Sequence, residues 1–137
     1  MSDVSRSWTY KDGSLVENII FQNDLIRIEI ESAEIPWLKI FTQKEIKEFS
    51  QCNKETKIAI LEALDIIEKE MLNYFKPEKI NIASFGNYVP HVHFHIQARF
   101  KEDSYFPEPT WGKKQREAKL ILPSLDTFYK NISIKLI

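Results

Sequence analysis

Pro90-His91-Val92-His93-Phe94-His95-Ile96-Gln97 contains all three histidines of the chain. In an extended strand, side chains two positions apart share a face. His91, His93 and His95 then line one side, and Val92, Phe94 and Ile96 line the other, where a core would sit. A helix would spread the three imidazoles around its circumference. The spacing therefore predicts a strand over His91–Arg99, and the rest of the chain must supply the surface that its apolar face meets.

Working outward, Lys79–Ala83 reads as a strand and Gly86-Asn87 as a turn. Further upstream, Asn18–Phe21 is a short apolar run that ends in the polar turn Gln22-Asn23-Asp24. From Ile26 to Glu31, apolar and charged residues alternate, and Pro36 precedes a second strand, Trp37–Phe41. These two make a hairpin through Ser32–Ile35. Lys44–Ser50 reads as a short helical turn. Asn53 is a plausible N-cap for a helix from about Glu55 to Tyr74, with a stripe of Ile58, Leu61, Leu64, Ile66, Met71, Leu72 and Phe75. Pro77 stops it. Downstream, Pro107, Pro109, Trp111 and Gly112 mark a loop, Gln115–Leu122 is expected to form a short helix, and Ser124 to cap a last one from Leu125 toward Ile134. Residues 1–16 have no clear period, contain the turn signal Asp12-Gly13-Ser14, and are expected to be peripheral. The pattern is that of an α+β domain: an antiparallel sheet with a long helix and shorter helices on one side. One domain over residues 1–137 is expected, with 113–137 as a C-terminal tail.

The chain has 137 residues, of which 43% are hydrophobic and 28% charged, with a net charge of -1 at pH 7. That suffices for one core, and the charge balance argues against a nucleic-acid polymer as partner. The lone cysteine, Cys52, excludes a disulfide within the chain and a Cys-rich zinc site. The start, Met1–Arg6, is polar and no stretch has the length of a membrane span. A cytoplasmic protein with no membrane partner is expected.

Three clustered imidazoles admit three kinds of chemistry. A neutral imidazole nitrogen can attack phosphorus while its neighbours orient it. Three imidazoles can instead hold zinc with one position open for water. They can also be polar residues of a solvent-facing strand.

The run His91-Val92-His93-Phe94-His95-Ile96-Gln97 resembles the signature of the histidine-triad (HIT) family, in which histidines alternate with apolar residues; Gln97 departs from its apolar last position. The resemblance covers roughly residues 18–112 and takes in Gly86 with the loop Asn87–Pro90, the strand Ile19–Phe21 and the helix at 55–75. Asn87–His95, Arg99-Phe100 and Pro107–Gly112 are similar to a bacterial branch of small triad hydrolases. The resemblance implies a homodimer and a purine nucleotide substrate, a phosphoanhydride such as a dinucleoside polyphosphate or a phosphoramidate. It implies attack by His93 and a nucleotidyl-histidine intermediate, with His95 near the phosphate and His91 holding orientation and protonation state. No metal in the protein is implied, and Mg2+ would enter only with the nucleotide.

The same resemblance points to Gly86 and Asn87 at the phosphate, with Asn81 and Ser84 either facing that pocket or serving as turn and strand-edge residues. Glu31 falls where the family places a ribose partner, or is an exposed carboxylate. Arg99 reaches phosphate or lies on the surface. Trp111 packs on a base, on a partner subunit or in the core. Two departures bear on substrate choice: Phe41–Glu45 lacks the proline and fourth histidine of many members, and Tyr88 replaces a small hydroxyl residue. Two rivals share these features, a non-catalytic nucleotide-binding regulatory module and a metal-dependent hydrolase using all three histidines.

Overall fold

A computed structural model describes residues 9–11, 14–16 and 18–137. Its main sheet has five strands: β3 (Ile19–Gln22), β4 (Ile26–Ile30), β5 (Trp37–Thr42), β6 (Lys79–Ala83) and β7 (His93–Arg99). They are ordered β3-β4-β5-β7-β6, and every neighbouring pair is antiparallel. Two helices, α1 (Lys54–Phe75) and α2 (Leu125–Leu136), complete the α+β architecture. A separate antiparallel pair, β1 (Thr9–Lys11) with β2 (Ser14–Val16), precedes the sheet. Three-residue strands are too short to show a period, so the sequence did not announce them. Of the expected turn, Asp12 and Gly13 lie outside the described residues.

Alternation makes the sheet. In β4, Ile26, Ile28 and Ile30 are buried while Arg27 and Glu29 face the other way. Leu38 and Ile40 of β5, Ile96 and Ala98 of β7, and Ile80 of β6 join them in one core. α1 covers that face with Ile60, Ala63, Leu64, Ile67 and Met71. The helix begins where expected, with the Asn53 side chain accepting from the Thr56 N–H at 2.9 Å. It ends at Lys76, which adopts a left-handed conformation (φ 50) just before Pro77. α2 is capped by Ser124 and packs on α1 and β3, burying Phe128 and Ile132. Polar bonds fix its placement: Asn131 donates to buried Glu70 at 2.9 Å, and Ser133 donates to the Ile20 carbonyl at 2.6 Å. Cys52 is buried in the core, and burial pushes its thiol up.

Three expected elements differ. β7 begins at His93, so His91 lies in the preceding turn, where its N–H bonds the Val89 carbonyl. The helical turn expected at Lys44–Ser50 shrinks to a 3-10 turn at Phe49–Gln51. Gln115–Leu122 is not helical. Its start is tied to the loop after β7: the N–H groups of Gln115 and Arg116 both donate to the Ser104 carbonyl, and the Arg116 guanidinium reaches the carbonyls of Asp103 and Phe106. These bonds stretch the segment across the loop after β7.

That loop is organised by Arg99, which is buried, not at the surface, and whose guanidinium is turned to partners within the protein. It is 1% exposed and donates to both carboxylate oxygens of Asp103, to the Asn81 side chain and to the Glu108 carbonyl. Asp103 in turn accepts from the N–H groups of Phe100, Tyr105 and Phe106. Burial alone would raise this carboxyl; the Arg99 and backbone bonds outweigh it and hold it down at about 2. Its folded value thus lies below the unfolded one near 3.8. The stabilisation is complete above the unfolded value and is lost as pH falls through the folded one. Urea unfolding should show wild type losing about 2 kcal/mol through this group between pH 4 and 2. The less stable Asp103→Asn variant should lack that component.

Candidate active site

The register of β5 against β7 sets the site. Phe41 stands opposite His93, Lys39 opposite His95 and Trp37 opposite Gln97, all facing away from α1's core. The His93 ring stacks on Phe41 with centroids 4.7 Å apart, and the Arg27 guanidinium lies 4.6 Å from the same Phe41 ring. Phe41 thus separates His93 from the nearest arginine of β4. On the other flank, Ser84 donates to the His93 carbonyl at 2.7 Å, pinning the start of β7.

Each imidazole has a different partner. His91 Nε2 lies 2.7 Å from the Thr42 carbonyl, which can only accept, so the proton sits on Nε2. His93 Nδ1 lies 2.6 Å from the His91 carbonyl, so Nδ1 carries the proton. The neutral His93 ring then has its lone pair on Nε2, and among the described residues no hydrogen bond engages that atom. His95 Nδ1 has the opposite role: it accepts from the Trp37 indole N–H at 3.0 Å. Its proton in the neutral form is therefore on Nε2.

His93 and His95 floor a cavity of about 310 Å³. The loop Phe85–Val89 forms one wall and Trp111 another. Gly86 turns that loop with φ +75, a conformation that favours glycine. Trp111 meets His95, Trp37 and Phe85 edge to face at 4.9, 5.4 and 4.8 Å. The lining is mostly aromatic and apolar, and contains no Lys or Arg.

Of the residues singled out in the sequence, Gly86, Asn87, Tyr88, His93, His95 and Trp111 meet at this cavity. His91 sits behind His93 and reaches it through its carbonyl. Four lie elsewhere. Arg99 and Asn81 bond each other below the loop after β7. Ser84 is turned to the His93 backbone. Glu31 pairs with Lys39 at 2.8 Å, at the edge of the site, and does not line the cavity. The sequence reading passed over Trp37, Phe41, Thr42 and Phe85. Trp37 and Phe41 become visible only with the β5–β7 register, because a strand residue also reaches its diagonal neighbour across the ladder. Among the described residues, no three His, Cys, Asp or Glu side chains gather to hold a metal ion.

The chain matches the HIT domain over residues 15–102, well over half its length. It belongs to the HIT family. Solved structures of HIT proteins share the fold. A histidine triad protein from Bradyrhizobium japonicum is 23% identical, with 95% of this chain and 98% of that one covered and a TM-score of 0.71. One from Sinorhizobium meliloti is 25% identical over 88% and 89%, with a TM-score of 0.69. A third, from Marinobacter aquaeolei, is 20% identical over 87% and 90%, with a TM-score of 0.70. No curated protein matches the chain. Among the described residues, no helix is long and apolar enough to cross a membrane.

The electrostatics set His95 apart from an ordinary histidine. Burial, then His93, then Lys39 lower it to about 4, with Glu31 opposing. Its folded value lies below the 6.5 of an unfolded histidine, so its share of stability is whole above about 6.5 and lost as the pH falls toward 4. NMR titration should find His95 neutral down to about pH 4. Lys39→Met should raise that midpoint, because it removes a nearby cation and frees Glu31; an unmoved midpoint would show that the Lys39 charge is not felt.

Proposed function

We propose that this HIT protein is an enzyme that cleaves a nucleotide at its α-phosphorus through a nucleotidyl-His93 intermediate. The observation that carries this reading is the 2.6 Å bond from His93 Nδ1–H to the His91 carbonyl. It places the neutral ring's lone pair on Nε2, in a residue that floors a cavity of suitable size for part of a nucleotide.

In the first step Nε2 forms a bond to phosphorus as the bond to the leaving group breaks. The leaving group departs with its electron pair and takes a proton from water. The positive charge that develops on the His93 ring is met by the His91 carbonyl. His95, neutral and protonated on Nε2, donates a hydrogen bond to the phosphoryl oxygens. In the second step water attacks phosphorus, the P–N bond breaks, and His93 returns to neutrality. The proton consumed in the first step is released in the second. A nucleoside monophosphate and the protonated leaving group are the products.

The walls favour one class of leaving group. Phe85, Val89 and Trp111 offer no cation for a polyphosphate, whereas the amine of a nucleoside phosphoramidate carries little negative charge. We therefore rank phosphoramidates above dinucleoside polyphosphates. The scheme routes no step through a metal held by the protein; each imidazole has one ring nitrogen bonded to a separate partner: Thr42, the His91 carbonyl and Trp37.

Turnover of a fluorogenic adenosine phosphoramidate and of diadenosine tetraphosphate tests the reading. His93→Ala should lower kcat/KM by about 10⁴-fold. Acid-quenched wild type should carry a nucleotide on the peptide containing His93. Near-normal rates in the His93 variant would refute the mechanism. Tight binding of AMP by wild type with no turnover of either substrate would instead make the protein a nucleotide-binding module.

A further inference from the structure

We propose that Trp37 is a positioning residue for His95: its indole N–H holds the imidazole in the single neutral tautomer that turns an N–H toward the bound phosphate. The role of that N–H in catalysis rests on the reading of His93 as nucleophile; the tautomer itself does not.

The argument begins with what an indole can do. Trp has one N–H and no acceptor, so a hydrogen bond to it has one possible sense. The 3.0 Å contact with His95 Nδ1 therefore requires a lone pair on Nδ1. A neutral His95 has two tautomers, and its imidazolium form has both nitrogens protonated. Of these three states only the Nε2–H tautomer keeps the bond. The other two would set N–H against N–H. Rotating the ring by half a turn would put a carbon where Nδ1 now stands and lose the bond as well.

The indole is itself held in place. Its strand pairs Trp37 with Gln97, the Trp37 carbonyl accepts from the Glu31 N–H at 3.0 Å, and Trp111 packs edge to face on the ring at 5.4 Å. The charged and titratable side chains around His95 on this sheet face are His93 on its own strand, Lys39 on β5, and Glu29 and Glu31 at β4. On the β6 side the same row holds Ala83, and the loops contribute Phe85 and Trp111, with Asn87 and the titratable Tyr88 lining the same cavity. None of these supplies a donor to Nδ1. Without Trp37, nothing among the described residues would keep a proton from that nitrogen.

Trp37→Phe removes the N–H and keeps an aromatic ring against Trp111. Trp37→Gln restores an N–H the same number of bonds from Cβ, without a titratable group. Imidazole nitrogen NMR should find wild-type His95 as the Nε2–H tautomer alone between pH 5 and 8. In Trp37→Phe, Nδ1-protonated signals should appear and the midpoint of His95 should rise by about one unit or more. Trp37→Gln should revert both. With the phosphoramidate, Trp37→Phe should lower kcat roughly tenfold with KM little changed, and its rate should fall on the acid side at a higher pH than wild type.

A Trp37→Phe protein that keeps the single Nε2–H tautomer and the wild-type pH profile overturns the proposal, whatever its stability. The NMR measurement needs no substrate, so it decides the tautomer even if His93→Ala retains activity and the nucleophile assignment falls.

Discussion

The pairing of β5 with β7 is the constraint on which the rest depends. It fixes Phe41 beside His93 and brings Trp37 within diagonal reach of His95. A slip of one residue would turn His93 and His95 into the hydrocarbon under α1 and bring Phe94 and Ile96 to the cavity. Burial prevents this slip. Leu38 and Ile40 of β5 and Ile96 of β7 are fully buried, and exposing them together would forgo several kcal/mol of hydrophobic stabilisation. The apolar half of each strand thus enforces the geometry of its polar half.

On that frame, two histidines two residues apart are given opposite proton placements by simple means. A carbonyl can only accept, so it draws the proton of His93 to Nδ1. An indole can only donate, so it leaves His95 Nδ1 bare. One ring is left with a lone pair on Nε2, the other with an N–H there. In the proposed mechanism the first is the nucleophile and the second a donor to the charge that develops on phosphate. The depressed basicity of His95 suits that division, since a ring neutral at pH 7 keeps its role without competing for protons with His93.

Much of this was legible in the sequence where one strand or helix carries its own signal. Ile26–Ile30 alternates, Asn53 is a cap, and His93 and His95 share a face with the core residues behind them. What the sequence hid is what one segment does to another. Gln115–Leu122 has helix-forming residues, yet it is not helical, and its first two N–H groups bond the Ser104 carbonyl. Arg99 and Asn81 have the chemistry of phosphate ligands, but each other and Asp103 occupy them. Trp37 and Phe41 are ordinary strand aromatics until the register shows which histidine each one meets. His91 belongs to the triad by spacing, although its ring leaves the strand and its carbonyl makes the contact.

The misplaced arginine also explains how an aromatic wall can stand at the cavity without regular secondary structure behind it. Residues 100–112 contain no helix or strand, and a segment of that length would ordinarily fluctuate. Here the Asp103 carboxylate collects three backbone N–H groups and the Arg99 fork, and Glu34 takes the Ser104 N–H and hydroxyl from the opposite side. Arg99 also ties Glu108 back to β7, three residues before Trp111. A buried ion pair of this kind is costly to desolvate and becomes favourable only with good geometry and further hydrogen bonds to its remaining lone pairs and protons. Here both Asp103 oxygens and four of the five Arg99 N–H donors are engaged, so charge that the sequence suggested for phosphate instead holds Trp111 against His95. The cavity is consequently left to aromatic and apolar walls, and its polar chemistry rests with the imidazoles and the loop at Gly86 and Asn87.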